Sequence, residues 1–236
     1  MTTTPTTLPI EYWNKSKTRL VSPRDENGRE VELGYFYNVQ FVGHSMHYPQ
    51  PLIYSHHTGK LSLPTIEKFM SLGRGTVYEE TMEYECKVKN YNLKYTGEVF
   101  YFVYNMANYY HFIYDTLPYL YSYFYEKEYH PDLKLLVSPP EGKDDLYPFV
   151  WETLSLLGIT KHDVILLDRK VVYKTVIVGS SLTHNGLSNT PPHNKVFDII
   201  NRLEGEYEGA EKVYISRRTW LNPKNENIGT DYTERR

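Results

Sequence analysis

Three polar residues, Asn108, His111 and Asp115, recur at helical spacing within the segment 105–126. On a helical wheel with about 100° per residue, His111 lies about 60° and Asp115 about 20° from Asn108. His111 and Asp115 are i,i+4 neighbours, and an aspartate beside a histidine orients the imidazole and raises its basicity. The triad therefore predicts a general base or a set of groups that bind a hydroxyl. A structural role, in which the triad ties the helix to the following loop, is the alternative.

The opposite side of the same helix carries a broad apolar and aromatic stripe, which predicts a helix packed on a core. The residues of the stripe are Tyr110, Ile113, Leu117, Leu120, Tyr121 and Phe124. Phe112 and Tyr119 flank the polar strip, so we expect that strip to form a pocket wall. Pro118 predicts a helix that kinks or restarts at that point.

The elements around this helix predict how its polar residues are positioned. A strand is expected at 97–104, immediately before the helix, and polar residues beyond the carboxyl end of a strand are typical of α/β binding sites. Further strands are predicted at 31–42 with a bend at Gly34, near 52–54 and 60–63, and at 133–138, 163–168, 171–179 and 212–216. Helices are predicted at 65–72, 144–157 and 193–207, and a long loop of the functional kind at 180–194. From residue 97 the alternation predicts an α/β fold with a parallel sheet.

Composition excludes several classes of protein. The 236 residues carry a net charge of −3 without a basic block, which argues against nucleic acid as a partner. No apolar run approaches the roughly 20 residues of a membrane span, and no signal peptide is recognisable at the N-terminus, so a cytoplasmic location is predicted. A single cysteine, Cys86, excludes an internal disulfide bond. The 24 tyrosines suit sugar rings, although coding bias in an AT-rich genome also accounts for their number.

Three segments together resemble the glycosyltransferase family 61 domain: NYYHFIYDTLP at 108–118, KVYISRR at 212–218, and TERR at 233–236. The resemblance implies a GT-B architecture, in which two Rossmann-like domains face each other across a cleft, and an inverting reaction. It also implies that arginines, rather than a bound metal, neutralise the diphosphate of a nucleotide-sugar donor. Arg217, Arg218 and Arg235 match that role, because guanidinium groups grip phosphate oxygens in pairs.

The resemblance also divides the chain. Residues 1–90 are interpreted as a β-rich N-terminal extension packed on the core, and 91–207 as a Rossmann-like acceptor-side domain. Residues 208–236 are interpreted as the start of a truncated nucleotide-sugar domain. On this interpretation the chain is an N-terminal fragment that is inactive alone, and its exposed inter-domain face favours self-association.

The expected reaction is transfer of a hexose or pentose from a UDP-linked donor to a glycan or protein hydroxyl. His111 or Asp115 is the candidate base, and Asn108, Tyr109 and Tyr119 are the candidate acceptor-binding residues. No cofactor or metal is expected. One alternative is a non-catalytic carbohydrate-binding or scaffold module. Another is a metal-dependent hydrolase using His111 and Asp115 with His184 or His193, which lacks a recognisable ligand spacing.

Overall fold

The computed structural model describes a set of segments that all lie within one unit of the chain, 1–203. The described residues are 10–11, 18–23, 30–42, 52–57, 60–62, 92–102, 112–140, 142–180, 182 and 193–203. The helix predicted at 65–72 and the strand predicted at 212–216 lie outside them. Within the described part of the chain, no helix has the length and apolar character needed to cross a membrane.

Within the described residues, nine strands form one mixed sheet. They are Ile10–Glu11 (β1), Thr18–Ser22 (β2), Val31–Val42 (β3), Leu52–Ser55 (β4), Lys60–Ser62 (β5), Leu93–Phe102 (β6), Lys134–Val137 (β7), Val164–Leu166 (β8) and Val171–Gly179 (β9). Their order is β1-β5-β4-β3-β9-β6-β7-β8, and β2 pairs with the first residues of β3. The predicted strands from 31–42 to 171–179 are therefore confirmed, with shifts of a few residues at some of their ends.

The sheet is parallel in its second half and mostly antiparallel in its first. Strands β9, β6, β7 and β8 run parallel to one another, while β3 runs antiparallel to β9. Strands β1 to β5 join the same sheet through β3, so the described N-terminal residues extend the sheet by hydrogen bonding. The chain is thus a mixed α/β protein, as the alternation of elements predicted.

Strand β7 shows why the apolar runs became central strands. Leu135, Leu136 and Val137 are consecutive and have no solvent exposure, so side chains on both faces of the sheet are buried. On one face, Phe100 of β6 contacts Tyr123, with ring centroids 5.8 Å apart. The next residue, Tyr101, contacts Phe41, at 4.8 Å. Because successive side chains point to opposite faces, each face of the sheet has its own aromatic cluster.

The segment after β6 is not the single regular helix that the wheel assumed. It contains a π-helical turn at Phe112–Thr116, a 3₁₀ turn at Leu117–Tyr119 and the α-helix Leu120–Tyr129 (α1). Pro118 explains the break, because it has no N–H to donate to an earlier carbonyl. The restart predicted at Pro118 is confirmed, and α1 begins two residues later.

The buried face of α1 also differs from the prediction. Continued at 100° per residue, the wheel puts Tyr119, Ser122 and Glu126 within about 40° of Asn108, on the polar side. The structure buries all three, at 1%, 0% and 0% exposure, while Tyr121 and Phe124 of the expected apolar stripe stay partly exposed. The expected orientation is wrong for α1, because a π turn closes i→i+5 bonds and a 3₁₀ turn i→i+3 bonds. Each of these turns therefore rotates the residues that follow it away from the positions that a wheel of 3.6 residues per turn gives them.

Two further helices follow, Pro148–Leu156 (α2) and Lys195–Ile200 (α3), and a 3₁₀ turn at Asn201–Leu203 extends the latter. Proline at the first position of α2 costs no hydrogen bond, because that N–H has no partner in any helix. Gly158, with φ of 77°, follows the end of α2, where the left-handed conformation favours glycine. The bend predicted at Gly34 is not observed as a break in pairing, since Gly34 pairs on both sides, with Thr18 and Val178. The residue of β3 with positive φ is Asn38, at 51°.

The connection from β8 to β9 departs from a simple doubly wound sheet. These parallel strands lie on opposite sides of the β6–β7 pair, yet only residues 167–170 join them. Parallel crossovers generally take a dozen or more residues and often a helix. Two hydrogen bonds organise the short connection: Lys170 N–H donates to Asp168 Oδ1 at 2.8 Å, and Asp168 N–H donates to the Tyr173 hydroxyl at 3.1 Å.

Candidate functional site

The carboxyl ends of β6 and β9 meet at a point where the strand order reverses. From β6 the chain adds β7 and then β8 on one side, whereas β9 pairs with β6 on the other side. Such a reversal leaves a crevice beyond the strand ends, and open α/β sheets commonly bind ligands there. Gly179, the last residue of β9, lies directly under α1: a Cβ at that position would meet Ser122 Cβ at 3.0 Å.

Few of the predicted site residues lie within the part of the chain that the structure describes. Asn108, Tyr109 and His111 lie outside the described residues, as do the three arginines Arg217, Arg218 and Arg235. The backbone of Asp115 belongs to the π turn Phe112–Thr116, and its side chain lies outside the described part. Within that part, therefore, no two predicted site side chains are brought together, and their roles stay predictions.

Tyr119 is the predicted site residue whose side chain the structure describes. It is 1% exposed and belongs to the main hydrophobic cluster, together with Phe112 at 0%. The two aromatic residues expected to flank a pocket wall are thus core residues. Acceptor binding by Tyr119 stays a prediction, and its observed position gives it a packing role.

The loop that follows β9 is closed at its neck. Ser180 N–H donates to the Glu32 carbonyl at 2.8 Å, and Glu32 N–H donates to the Ser180 hydroxyl at 2.9 Å. Further along, His193 N–H donates to the Leu182 carbonyl at 2.8 Å. Residues 183–192 therefore leave from and return to one hydrogen-bonded position near the carboxyl end of β9. Most of the long loop predicted at 180–194 lies outside the described residues, and its functional role stays a prediction.

His193 is held in one orientation at that neck. Its side chain is 1% exposed, and its Nδ1 accepts a hydrogen bond from Lys195 N–H at 3.1 Å. An imidazole that accepts at Nδ1 carries its proton on Nε2 when neutral. Nδ1 is thus engaged by the backbone of the chain. Among the described residues, no group of three histidine, cysteine or acidic side chains is arranged to hold a metal ion.

The main polar cluster of the described structure surrounds Glu126, which the sequence analysis missed. The Glu126 carboxylate is fully buried and accepts hydrogen bonds from the Tyr35 hydroxyl at 2.9 Å and from Arg19 at 3.3 Å, and His130 Nε2 lies 3.3 Å from it. The Arg19 guanidinium also lies over the Tyr129 ring, 4.4 Å from its centroid. We call these residues (Arg19, Tyr35, Glu126 and His130) the Glu126 cluster; it ties β2 and β3 to α1.

Electrostatics within the Glu126 cluster follow from burial and hydrogen bonding. Partial burial, followed by the bond to Glu126, raises the pKa of Tyr35 to about 12. The hydrogen bond with Tyr35 raises the pKa of Arg19, and the charge of Glu126 contributes in the same direction. Tyr35 is therefore a neutral donor and Arg19 a cation at any physiological pH. The Glu126 carboxylate is occupied by these donors, so its arrangement suits a structural anchor rather than a base.

A second polar cluster fixes the other side of α1. Lys127 Nζ donates to Asp163 Oδ1 at 2.8 Å, to the Tyr123 hydroxyl at 3.0 Å and to the Leu133 carbonyl at 3.1 Å. Asp163 also accepts two hydrogen bonds from Thr160, through its N–H and its hydroxyl. Burial opposes ionisation of Asp163, but the bonds from Lys127 and Thr160 outweigh it and lower its pKa to about 2. The cluster attaches α1 to the turn that leads into β8.

The sequence contains one local pattern from the Glu126 cluster, but it does not show which distant residues contact that pattern. A glutamate and a histidine at i,i+4, Glu126 and His130, follow directly on a run of tyrosines. Arg19 and Tyr35 are 107 and 91 residues away from Glu126, so no local pattern joins them.

Comparison with models of protein families, with curated proteins and with solved structures found no match to the chain.

Proposed function

We propose that the chain is the acceptor-side part of an inverting, metal-independent glycosyltransferase of GT-B type, with a Rossmann-like sheet. One observation carries the proposal: the segment containing Asn108, His111 and Asp115 follows β6, the strand at which the sheet order reverses. Residues at that position are well placed for ligand binding in open α/β sheets. The resemblance of 108–118 and 212–218 to family 61 glycosyltransferases supplies the reaction class.

The proposed roles follow from the chemistry of glycosyl transfer. An acceptor hydroxyl must lose its proton as it attacks, and His111 or Asp115 acts as the base. Asn108, Tyr109 and Tyr119 bind the acceptor. The departing nucleoside diphosphate carries negative charge, which Arg217, Arg218 and Arg235 neutralise through paired hydrogen bonds. The donor is a UDP-linked sugar, and the acceptor is a glycan or protein hydroxyl.

Titration calorimetry of the whole chain with UDP and with UDP-GlcNAc tests the proposal. We expect binding within the usual range of enzyme substrates, roughly 1 µM to 1 mM. Arg217→Ala should weaken binding about tenfold or more, because hydrogen bonds to a charged group contribute about 1.5–3 kcal/mol.

Lys143→Ala is the matched control for the arginine variant, because Lys143 is exposed in a turn far along the chain from the motif. Equal weakening by Arg217→Ala and Lys143→Ala would reduce the arginine effect to net charge and contradict the phosphate role. Absence of binding by the unmodified chain would reject a donor-phosphate role for these arginines within this chain. Titration with oligosaccharides would then test the carbohydrate-binding module.

A further inference from the structure

Aromatic side chains cluster at the start of α2, the helix that follows β7. Tyr147 and Phe149 stack nearly face to face, with ring centroids 5.8 Å apart and 11° between the ring planes. Phe149 also contacts Phe112, the first residue of the π turn that contains Asp115, with ring centroids 5.3 Å apart. The start of α2 is therefore packed against the turn that carries one of the two candidate bases.

Trp151, one turn further along α2, is held in a fixed orientation. Its backbone N–H donates to the Tyr147 carbonyl at 3.3 Å, so the two residues lie one turn apart on the same side of the helix. Its indole N–H donates to Asp145 Oδ1 at 2.9 Å, and Lys161 Nζ lies 5.3 Å from its ring centroid. Tyr147 and Trp151 are partly exposed, whereas Asp145 and Lys161 are exposed.

The polar groups beside these rings are charged. Hydrogen bonds from the backbone N–H of Leu146 and from the Trp151 indole hold the pKa of Asp145 below its usual range. The ionised carboxylate of Asp145 accepts hydrogen bonds, and the ammonium group of Lys161 donates them. The cluster thus combines two flat apolar rings with an acceptor and a donor at their edge.

A pyranose ring of the glucose configuration has the matching chemistry. Its hydroxyls are equatorial and its ring C–H bonds are axial, so it has two flat apolar faces and a polar rim. An aromatic side chain covers such a face, and charged side chains form strong hydrogen bonds with the hydroxyls of the rim. Trp151 is already oriented by Asp145, so little conformational freedom is lost when the sugar binds.

We propose that Tyr147 and Trp151 form a stacking platform for a chain of β-1,4-linked glucose or N-acetylglucosamine. Asp145 and Lys161 bind the hydroxyls of the same chain. The links between the sugars keep the chain extended, so that adjacent sugar rings reach the two aromatic residues together. We call these four residues the α2 platform.

The α2 platform deepens the proposed function, on which it rests for the choice of a glycan. It names a surface that holds the acceptor next to the turn containing Asp115, through the contact of Phe149 with Phe112. The bonds of Asp145 to Leu146 and Trp151 also fix the start of α2. That structural role alone predicts no effect of the two aromatic side chains on sugar binding.

Titration calorimetry of the whole chain with cellohexaose and with chitohexaose tests the α2 platform. We expect at least one of them to bind. Trp151→Ala and Tyr147→Ala should each weaken this binding about tenfold, the effect of roughly 50 Å² of apolar surface that is no longer buried against the sugar. Trp151→Phe should still bind, because it keeps an aromatic face.

Tryptophan fluorescence gives a second measurement that a purely structural role would not affect. The sugar should change the emission of the unmodified chain, and this change should disappear in Trp151→Phe. The substitution identifies the signal of Trp151 among the three tryptophans of the chain. An emission change that persists in Trp151→Phe would contradict stacking on Trp151.

Phe197→Ala is the matched control, because Phe197 is an exposed aromatic residue on a different helix, at 52% exposure. It should bind the sugar as the unmodified chain does, and far-UV circular dichroism should show that every variant is folded. Sugar binding without UDP binding would support the α2 platform and contradict the donor site. UDP binding without binding of either oligosaccharide, or undiminished sugar binding in Trp151→Ala and Tyr147→Ala, would overturn the platform.

Discussion

Replacement of Glu126 by glutamine tests whether the Glu126 cluster holds β2 and β3 to α1. The variant keeps the size and one acceptor oxygen, so the change removes the charge with little change in packing. The two donors Tyr35 and Arg19, and the His130 ring that lies 3.3 Å away, then face a neutral amide instead of a carboxylate. The side-chain NH₂ group of the glutamine is itself a hydrogen-bond donor, so it faces one of these donors with no acceptor between them.

The expected loss is about 2 kcal/mol in the free energy of unfolding. A hydrogen bond to a charged group is stronger than a neutral one by about 1 kcal/mol, and this applies in full to the half-buried Tyr35 hydroxyl at 2.9 Å. The contacts from Arg19 and His130 are longer, and these side chains are 37% and 42% exposed. Water screens them, so each adds roughly half as much. Because domains are stable by only about 5–15 kcal/mol, the loss is readily measured.

Urea unfolding at pH 7, followed by far-UV circular dichroism, measures the change. Glu128→Gln is the matched control: it makes the same chemical change on the same helix, at an exposed position. We expect it to stay within about 0.5 kcal/mol of the unmodified protein. If Glu126→Gln is equally mild, the buried carboxylate does not anchor β2 and β3 to α1, and the reasoning fails.

Two further predictions concern packing and pH. Gly179→Ala, at the end of β9, should destabilise the fold by about 1–3 kcal/mol, because the new Cβ would lie 3.0 Å from Ser122 Cβ. An unchanged melting temperature would show that α1 moves away from the new Cβ with no loss of stability. Asp163 should stabilise the fold above its unfolded pKa near 4, and this contribution should be lost as pH falls towards its folded pKa of about 2. Asp163→Asn should therefore lower the free energy of unfolding by about 2 kcal/mol at pH 7, because Lys127 loses its charged partner, and by much less at pH 2. Urea titrations at both pH values measure these losses. An equal loss at the two pH values would contradict the assigned ionisation of Asp163.

The strands were predictable from the sequence because their signal is local. Short apolar runs such as 135–137 and 176–178 have no polar side for water, so they form strands that are buried on both faces. β7 and β9 confirm this. The order of the strands was less accessible, because it depends on which runs pair across long separations. The four-residue link between β8 and β9 would not be expected from rules for parallel crossovers.

The helix after β6 shows where local reasoning fails. The wheel treated 105–126 as one α-helix, and the break at Pro118 was foreseen, but its effect on the phase was not. A π turn followed by a 3₁₀ turn rotates the chain, so Ser122 and Glu126 are buried where the wheel expected polar exposure. A glutamate tolerates that position only because Arg19, Tyr35 and His130 neutralise and hydrogen-bond it. These partners come from distant parts of the chain.

The same rotation separates two carboxylates that the wheel had placed on one side, Asp115 and Glu126. Glu126 is fully buried and already bonded to Tyr35 and Arg19, so a substrate hydroxyl has no access to it. Asp115 belongs to the turn before α1, next to the strand ends, where the sheet order reverses. The 3₁₀ turn Leu117–Tyr119 and the first residues of α1 lie between Asp115 and Glu126. A carboxylate that anchors α1 to β2 and β3 leaves the turn before α1 available for chemistry, and this division of roles is the physical reason to seek the base at Asp115 or its neighbour His111 rather than at Glu126.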